Sequence, residues 1–312
     1  MKKHLFLIGL MICSLATMAQ SESADKPESW YFKLGGSYFI QTAATEFPTV
    51  NGRLPNTDVY AADGTTLLSR ETNHGSFGEG FRTGLTAGYR FSPRLGVELG
   101  FNYFNSREKT MVQTTNILVP NPANIPIYAT GDAVGKIEAY DLAPAIVLFL
   151  GESNGFEPYT KVGVIVPVHG NLTIETTRAY TTPAGVTNTY TKDVVKPNPT
   201  VGFMAALGTS YKLGKHISVF GEIEYRNFTV HGKTKETEVY TENGVDKLNT
   251  TTSFRTASYS ANHVNYVDKI DANSNSMLTN PGGFDNTKAT DDISSYIGIS
   301  GLGLTLGLKY SL

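Results

Sequence analysis

Charged side chains recur in stretches where small or polar residues alternate with apolar ones, and these charges are the first candidates for chemistry. They are Lys33, Arg82, Arg90, Glu98, Asp141, Lys161, Glu222, Glu224, Arg226 and Lys309. Because alternate side chains of a β-strand point to opposite faces, the whole set would share the face opposite the apolar residues. Charges of both signs in a confined space are expected to pair. We call these residues the charge network, and the chemistry predicted for them is ion pairing.

Two groups of pairs are predicted within the charge network. Across the turn at residues 92–94, Gly88 would face Glu98, which leaves Arg90 one diagonal step from Glu98 on the same face. The second group is Glu222, Glu224 and Arg226. Pairs of this kind would fill an interior, and the alternative is a path that conducts ions.

A combination of catalytic residue types occurs at residues 216–224. His216 and Ser218, followed by Glu222 or Glu224, supply a base, a nucleophile and an acid, which resembles the set of a lipid A deacylase. Such chemistry belongs at the outer leaflet of an outer membrane. His216 instead falls in a short link, residues 212–216, of the kind expected on the periplasmic side. We therefore predict no catalytic residue and no enzyme activity.

Residues 271–282 imitate the start of a calcium-binding loop. Asp271, Asn273 and Asn275 have the right spacing, but Ser276 replaces the required glycine and Gly282 stands where a glutamate should be. The sequence predicts no metal site and no cofactor. The net charge of -2 offers no basic surface for nucleic acid.

Eight alternating segments can position the charge network. They are residues 30–40, 81–91, 95–103, 137–150, 159–172, 201–211, 217–228 and 301–312. The last is the clearest, because leucines at every second position from Leu302 to Leu308 alternate with glycine and threonine. Charges share a phase with the glycines and the other phase is apolar, the reverse of a soluble β-sandwich or lipocalin-like barrel. The pattern predicts an all-β, eight-stranded antiparallel up-and-down transmembrane β-barrel, whose interior is just wide enough for its own side chains.

The links between these segments alternate in length. Short links fall at residues 92–94, 151–157 and 212–216, and long links fall at 41–80, 106–134, 173–198 and 231–294. Short periplasmic turns and long extracellular loops are usual in outer-membrane barrels. In addition, Pro144 predicts a bulge in the fourth segment, since proline cannot donate a ladder hydrogen bond.

Aromatic residues occur at both ends of the predicted strands. Those at the predicted periplasmic ends are Trp30, Tyr89, Phe91, Tyr159, Tyr211 and Tyr310. Those at the opposite ends are Tyr38, Phe81, Tyr103, Tyr140 and Tyr225. Two such girdles are typical of strands that cross a membrane, because these side chains favour its two interfaces.

The N-terminus has the three parts of an export signal. Lys2 and Lys3 precede an apolar run, and Thr17 and Ala19 are small residues before a cleavage site. We predict a signal peptide at residues 1–19, a short periplasmic segment at 20–29 and a barrel domain at 30–312. Cys13, the one cysteine of the sequence, lies inside the signal peptide, so no disulfide framework is expected.

From residue 30 to residue 312, the pattern resembles the small outer-membrane barrels of the OmpA, OmpX and OmpW type, especially single-domain members from Bacteroidetes. The ending at residues 308–312 resembles their C-terminal insertion signal, although it ends in Leu312 where phenylalanine is usual. The resemblance implies location in the cell outer membrane. It implies lipid and lipopolysaccharide around the barrel, and the barrel-assembly machinery as a partner during insertion.

The expected role is that of a non-enzymatic envelope protein, either structural or binding an extracellular ligand or host surface through its long loops. In that reading the charge network plugs the lumen. A narrow channel for small or apolar molecules, as the likeness to OmpW suggests, is the first alternative. A lipid A-modifying enzyme is the second.

Overall fold

The computed structural model describes residues 29–42, 45–121, 124–198 and 200–312. The predicted signal peptide at 1–19, with Cys13, lies outside the described residues. The predicted periplasmic segment at 20–29 also lies outside them, apart from Ser29.

The regular secondary structure of the described residues is almost entirely β-strand. They are β1 (Ser29–Gln41), β2 (Thr45–Glu46), β3 (Asn56–Tyr60), β4 (Leu67–Thr72), β5 (His74–Gly75), β6 (Gly80–Arg90), β7 (Leu95–Ser106), β8 (Lys109–Leu118), β9 (Tyr128–Phe149), β10 (Phe156–Thr182), β11 (Gly185–Asn198), β12 (Gly202–Lys212), β13 (Ile217–Asn227), β14 (Thr229–Glu242), β15 (Val245–Asp246), β16 (His263–Val267), β17 (Thr290–Ile293), β18 (Tyr296–Gly298) and β19 (Gly301–Ser311). One short helix, α1 (Tyr259–Asn262), and a 3-10 turn at Pro281–Gly283 lie in the last link. Within the described residues, no helix has the length and apolar character needed to cross a membrane. The predicted all-β class is confirmed.

Eight of these strands pair in a closed antiparallel ring. Its order is β1, β6, β7, β9, β10, β12, β13 and β19, after which β19 pairs with β1. In the closing pair, Tyr31 lies opposite Ser311 and Gln41 lies opposite Gly301. A closed up-and-down barrel, as predicted from the sequence, requires the last segment to pair with the first, and β19 does pair with β1. Each ring strand overlaps one of the eight predicted segments.

The period of two decides which side chains face outward from the ring. In β19, Leu304, Leu306 and Leu308 are 57%, 62% and 53% exposed, whereas Lys309 is 6% exposed. Gly303 also faces the interior, and the Phe39 ring of the neighbouring strand lies 2.4 Å from where a Cβ on Gly303 would stand. Glycine therefore leaves room inside for the large aromatic residues of the adjacent strand.

Two of the predicted long links consist largely of β-strands. β9 and β10 continue beyond the ring, where Lys109 of β8 lies opposite Gly135 and Thr182 of β10 lies opposite Gly185 of β11. β14 then pairs with β11. Most of 106–134 and 173–198 is therefore strand, because these threonine-rich stretches also alternate and favour extended backbone. These strands extend the sheet above the ring.

The predicted bulge near Pro144 is wrong. Leu99 lies opposite Pro144 in a β7–β9 register that continues unchanged on both sides of the proline. The register shift occurs in β10 instead, between Pro167 and His169. Pro167 also lacks a donor, so the ladder changes register at this second proline.

We call the end of the ring at which β9 and β10 continue beyond it the extended end. The link between β1 and β6 folds back over this end. Phe47, Val50 and Phe77 on this link are buried, and the Phe47 and Phe77 rings are 5.1 Å apart. Asn51 and Gly52 both have positive φ, the conformation of a type I′ hairpin turn. These side chains pack against Met111, Val112, Ala133, Ile137, Leu172, Ile174, Val195, Val230 and Ile297. We call this cluster the apolar plug.

Candidate functional site

Four members of the charge network meet inside the ring. Lys33 Nζ lies 2.7 Å from Glu98 Oε1 and 2.9 Å from Glu222 Oε1. Lys161 Nζ lies 2.7 Å from Glu222 Oε2 and 3.4 Å from Glu98 Oε2. All four side chains are buried, and they come from β1, β7, β10 and β13. Each carboxylate contacts both ammonium groups, which offsets the cost of removing the charges from water.

Two buried tyrosines complete this first cluster. The Tyr31 hydroxyl donates a hydrogen bond to Glu98 at 3.1 Å, and the Tyr159 hydroxyl donates one to Glu222 at 2.7 Å. The structure corrects the assignment of Tyr159 to a membrane interface, because this side chain is 2% exposed and faces inward. The sequence carried the signal, since Tyr159 lies two residues before the inward-facing Lys161 and therefore shares its phase.

The second cluster involves Arg82, Asp141, Glu224 and Arg226, all of them buried. Arg226 Nη1 lies 2.9 Å from Asp141 Oδ2, and its Nε atom contacts Glu224. Arg82 Nη1 lies 3.1 Å from Glu224 Oε1. Asn102 donates a further hydrogen bond to Asp141 Oδ1 at 2.8 Å. The pair of Glu224 and Arg226 was expected, but Arg82, Asp141 and Asn102 come from strands that the sequence could not place beside them.

The third cluster corrects the predicted pair of Arg90 and Glu98. Gly88 does lie opposite Glu98, as predicted. However, the Arg90 guanidinium binds Glu157, and Lys309 Nζ lies 3.2 Å from Glu157 Oε2. Glu157 was missed because the prediction assigned it to a turn, although it also shares the phase of Lys161.

The Tyr31 ring explains why Arg90 and Glu98 do not pair. A Cβ on Gly88 would lie 2.2 Å from Tyr31 Cζ. The Tyr31 side chain therefore covers the inner face of β6 between Arg90 and Glu98. Arg90 instead lies over the Phe149 ring, with its Cζ atom 4.1 Å from the ring centroid. A guanidinium in this position gains a cation–π contact as well as the ion pair with Glu157.

Little space remains between the clusters. A cavity lined by Lys33, Arg82, Lys161 and Glu222 has a volume of about 40 Å³. A second, lined by Phe39, Asp141 and Arg226, has about 30 Å³. Volumes of this size hold only a few water molecules. The paired charges therefore leave only small spaces among themselves.

The wall of the ring is interrupted at one place. β10 pairs with β12 up to Ile165 and with β11 from Leu172 onward, so within the described residues its 166–171 stretch has no strand partner on that edge. A cavity of about 230 Å³ lies behind this gap. Its lining includes Leu172, Val195, Phe228, Val230 and Ile297. We call it the lateral cavity.

The outward aromatic residues form pairs at both ends of the ring. The Trp30 and Tyr89 rings are 5.0 Å apart at one end, and the Tyr38 and Phe81 rings are 4.9 Å apart at the other. Except for Tyr159, the predicted interface aromatics are exposed or half-buried on the outward face. Their placement in a membrane interface stays a prediction.

Comparison with known proteins identifies the family of this all-β chain. The family described as the outer membrane protein β-barrel domain matches residues 5–260. The chain belongs to this family. It is a protein of the cell outer membrane. Among curated proteins, none matches the chain.

Three solved structures of outer-membrane proteins are similar to this member of the family. OprG from Pseudomonas aeruginosa shares 13% identity at a TM-score of 0.40, covering 92% of this chain and 97% of that one. Neisserial surface protein A shares 8% at a TM-score of 0.32, covering 92% and 99%. Ail, the attachment invasion locus protein of Yersinia pestis, was solved with the heparin analogue sucrose octasulfate. It shares 8% at a TM-score of 0.31, covering 91% and 97%.

The combination of His216, Ser218 and Glu222 or Glu224 is not assembled as a catalytic set in this outer-membrane protein. The exposed His216 ring contacts the Ser311 carbonyl oxygen through Nδ1 at 2.7 Å. Glu222 is engaged by Lys33 and Lys161, and Glu224 by Arg82 and Arg226. Neither glutamate is therefore available to orient His216 toward Ser218. Within the described residues there is also no group of three or more histidine, cysteine, aspartate or glutamate side chains that could hold a metal ion.

Proposed function

We propose that this protein is a non-enzymatic, eight-stranded up-and-down transmembrane β-barrel with a plugged lumen, which acts as an envelope-structural or surface-binding protein. The observation that carries the proposal is the close packing of the charge network inside the closed ring. Three clusters of paired charges occupy it, and the cavities between them measure about 40 and 30 Å³. The outward face is apolar, as contact with lipid requires.

The arrangement of links supports an orientation with the extended strands outside the cell. The links at the other end are short, joining β6 to β7, β9 to β10 and β12 to β13. The extended end carries β8, β11, β14 and the segments between them. We propose that this larger end binds or shields at the cell surface. Lipopolysaccharide is then the lipid partner, and the barrel-assembly machinery inserts the chain.

Conductance measurements in planar bilayers test the plugged lumen. We expect no reproducible single-channel steps from the wild-type protein, because ions cannot replace the internal ion pairs at neutral pH. Steps that change in Glu222→Gln but not in Glu152→Gln would contradict the proposal. Glu152 is a suitable control because it pairs with Lys212 in a short link outside the ring.

Labelling with a membrane-impermeant maleimide tests the orientation. Asn243→Cys lies in the turn between β14 and β15, and Lys215→Cys lies in the short link between β12 and β13. In intact cells we expect labelling of the first variant only, and labelling of both after lysis. The reverse pattern would show that the extended end faces the periplasm. Outer-membrane fractionation and heat-modifiable migration in detergent gels serve as the common check on folding.

A binding role of the extended end is tested by shortening the link between β16 and β17. Replacing residues 268–289 with a short glycine–serine linker leaves the ring strands intact. We expect reduced adhesion or altered permeability with unchanged abundance in the outer membrane. Equal behaviour of both proteins in both assays would favour a purely structural role.

The lateral cavity supports a second candidate function, a passage or binding site for small apolar molecules. It is lined mainly by apolar side chains and lies behind a gap in the wall. The test is binding of the fluorescent probe N-phenylnaphthylamine to purified protein. Val195→Phe should fill the cavity and abolish binding, whereas Val219→Phe, on the outward face, should not. Equal binding by both variants would remove this candidate.

A lipid A-modifying activity is the third candidate, and it has the least support because Glu222 and Glu224 are both engaged by cations away from His216. It requires that expression of the protein change the mass of lipid A, and that the change vanish in His216→Ala. We expect no such change.

A further inference from the structure

A further cavity lies at the extended end, apart from the charge network and the lateral cavity. Its volume is about 190 Å³. The turn at residues 50–53 forms one side, and the inner faces of β8, β9 and β10 form the others. Arg53, Arg178 and Thr176 are among its lining residues. We call it the arginine cavity.

The two arginines of this cavity have no acidic partner. Arg70, Arg82, Arg90, Arg107 and Arg226 each pair with a carboxylate. In contrast, across the part of the chain that the structure describes, neither Arg53 nor Arg178 forms an ion pair. Both residues are half-buried, and a guanidinium without a carboxylate partner keeps its donors free for a ligand. Such groups gain strongly from an anionic ligand.

The backbone positions both arginine residues at the cavity. Gly131 lies opposite Arg178, and a Cβ on Gly131 would lie 2.7 Å from Arg178 Cγ, so the arginine stem crosses the space that glycine leaves open. Arg53 follows the turn at Asn51 and Gly52, where hydrogen bonds in both directions join Val50 and Arg53. The two arginines are therefore held on rigid elements on two sides of one cavity.

A buried hydroxyl provides an independent indication of a ligand. Thr176 is 3% exposed and lines the cavity, yet its Oγ1 atom has no hydrogen-bond partner among the described residues. A buried polar atom without a partner costs about 1–3 kcal/mol unless a ligand or water satisfies it. An oxyanion accepts hydrogen bonds, as the guanidinium groups and this hydroxyl require.

The other charges near the cavity favour an anion. Asp132 is an acidic residue of the lining, and its Oδ1 atom already accepts a hydrogen bond from Thr177 at 2.8 Å. Lys235 adds a third positive charge at the edge, where its Nζ atom contacts Asn51 Oδ1 at 3.1 Å. Three cations against one engaged carboxylate leave the cavity positive.

We propose that the arginine cavity binds the oxyanion group of a small ligand from the medium, with Arg53 and Arg178 as its recognition residues. A guanidinium presents paired donors that match phosphate, sulfate or carboxylate oxygens. The volume admits one such group and a small body, since pockets for larger ligands begin at about 300 Å³. The inference rests on the proposed function, because it requires that the extended end face the medium.

Calorimetric titration of the purified protein in detergent tests the proposal. The probes are inorganic phosphate, sulfate and glucose 6-phosphate, with neutral glucose as the comparison. We expect saturable binding of at least one anion, weakened by added salt, and no binding of glucose. Arg53→Gln and Arg178→Gln should each weaken binding about tenfold or more, because a charged hydrogen-bond donor is lost. Arg178→Lys should be intermediate, since the charge remains but the fork is lost.

Arg107→Gln is the matched control, because Arg107 is exposed and pairs with Glu79 away from the cavity. It should bind as the wild type does. Absence of saturable binding for all three anions would overturn the inference, and so would equal binding by wild type and Arg178→Gln when both show heat-modifiable migration. If anions bind but Asn243→Cys is not labelled in intact cells, the proposed orientation fails and the anion site stands. If Asn243→Cys is labelled but no anion binds, only the anion site fails.

Discussion

Lys33 and Glu222 form a buried ion pair at 2.9 Å, although 189 residues separate them in the chain. They come from β1 and β13, which are not neighbours, because β19 lies between them. The contact therefore passes through the interior of the ring rather than along its wall. It joins strands on the two sides of the closing strand.

Removing Lys33 should destabilise the protein strongly. Lys33→Met leaves Glu98 and Glu222 buried with one cation fewer, which should lower the free energy of unfolding by about 3–5 kcal/mol. Urea unfolding in phospholipid vesicles measures the change. Lys212→Met is the control, because Lys212 pairs with Glu152 in an exposed link and should change stability by about 1 kcal/mol or less. Equal losses for the two variants would show that the internal pair has no special role.

The partner of Arg90 can be tested by double-mutant cycles. Arg90→Gln combined with Glu157→Gln should give a coupling energy of about 1–3 kcal/mol, because the two groups are in contact. Arg90→Gln combined with Glu98→Gln should be additive within about 0.5 kcal/mol. A larger coupling in the second cycle would restore the pair predicted from the hairpin alone.

Contact with lipid predicts a depth-dependent cost for charge on β19. Leu306→Arg, halfway along the strand on the outward face, should lower the free energy of unfolding in vesicles by about 2–4 kcal/mol. Leu302→Arg, at the end of the same face, should cost about 0–1 kcal/mol. Similar values at both positions would be incompatible with a membrane around the ring.

The inward glycines should resist substitution where an outward glycine does not. A Cβ at Gly303 would lie within 2.4 Å of the Phe39 ring, so Gly303→Ala should cost about 1–3 kcal/mol through overpacking. Gly36 faces outward, and no atom lies within 4 Å of where a Cβ on Gly36 would stand. Gly36→Ala should therefore be neutral or slightly stabilising. Unfolding in vesicles compares the two. If Gly36→Ala proves the more harmful, the assignment of the two faces is reversed.

The sequence by itself determined which face of each ring strand is apolar. Side chains alternate along any extended strand, so Leu306 faces outward and Lys309 inward whatever their neighbours are. The same rule predicted the burial of the charge network, and the closure of eight successive segments into a barrel requires the first to pair with the last. It could also have placed Tyr159 inside, because Tyr159 shares the phase of Lys161, and Glu157 as well, had the fifth segment been extended by two residues toward the N-terminus.

Only the tertiary structure decided which charges pair. Lys33 could be matched with Glu98 and Glu222 only after the order of the strands in the ring was known. These contacts cross the interior, so no fixed spacing in the sequence indicates them. The arginine cavity also could not be predicted from spacing, because Arg53 and Arg178 line one cavity although more than a hundred residues separate them. Alternation is a local property of the backbone, whereas ion pairing depends on distances through space, which the closed ring sets.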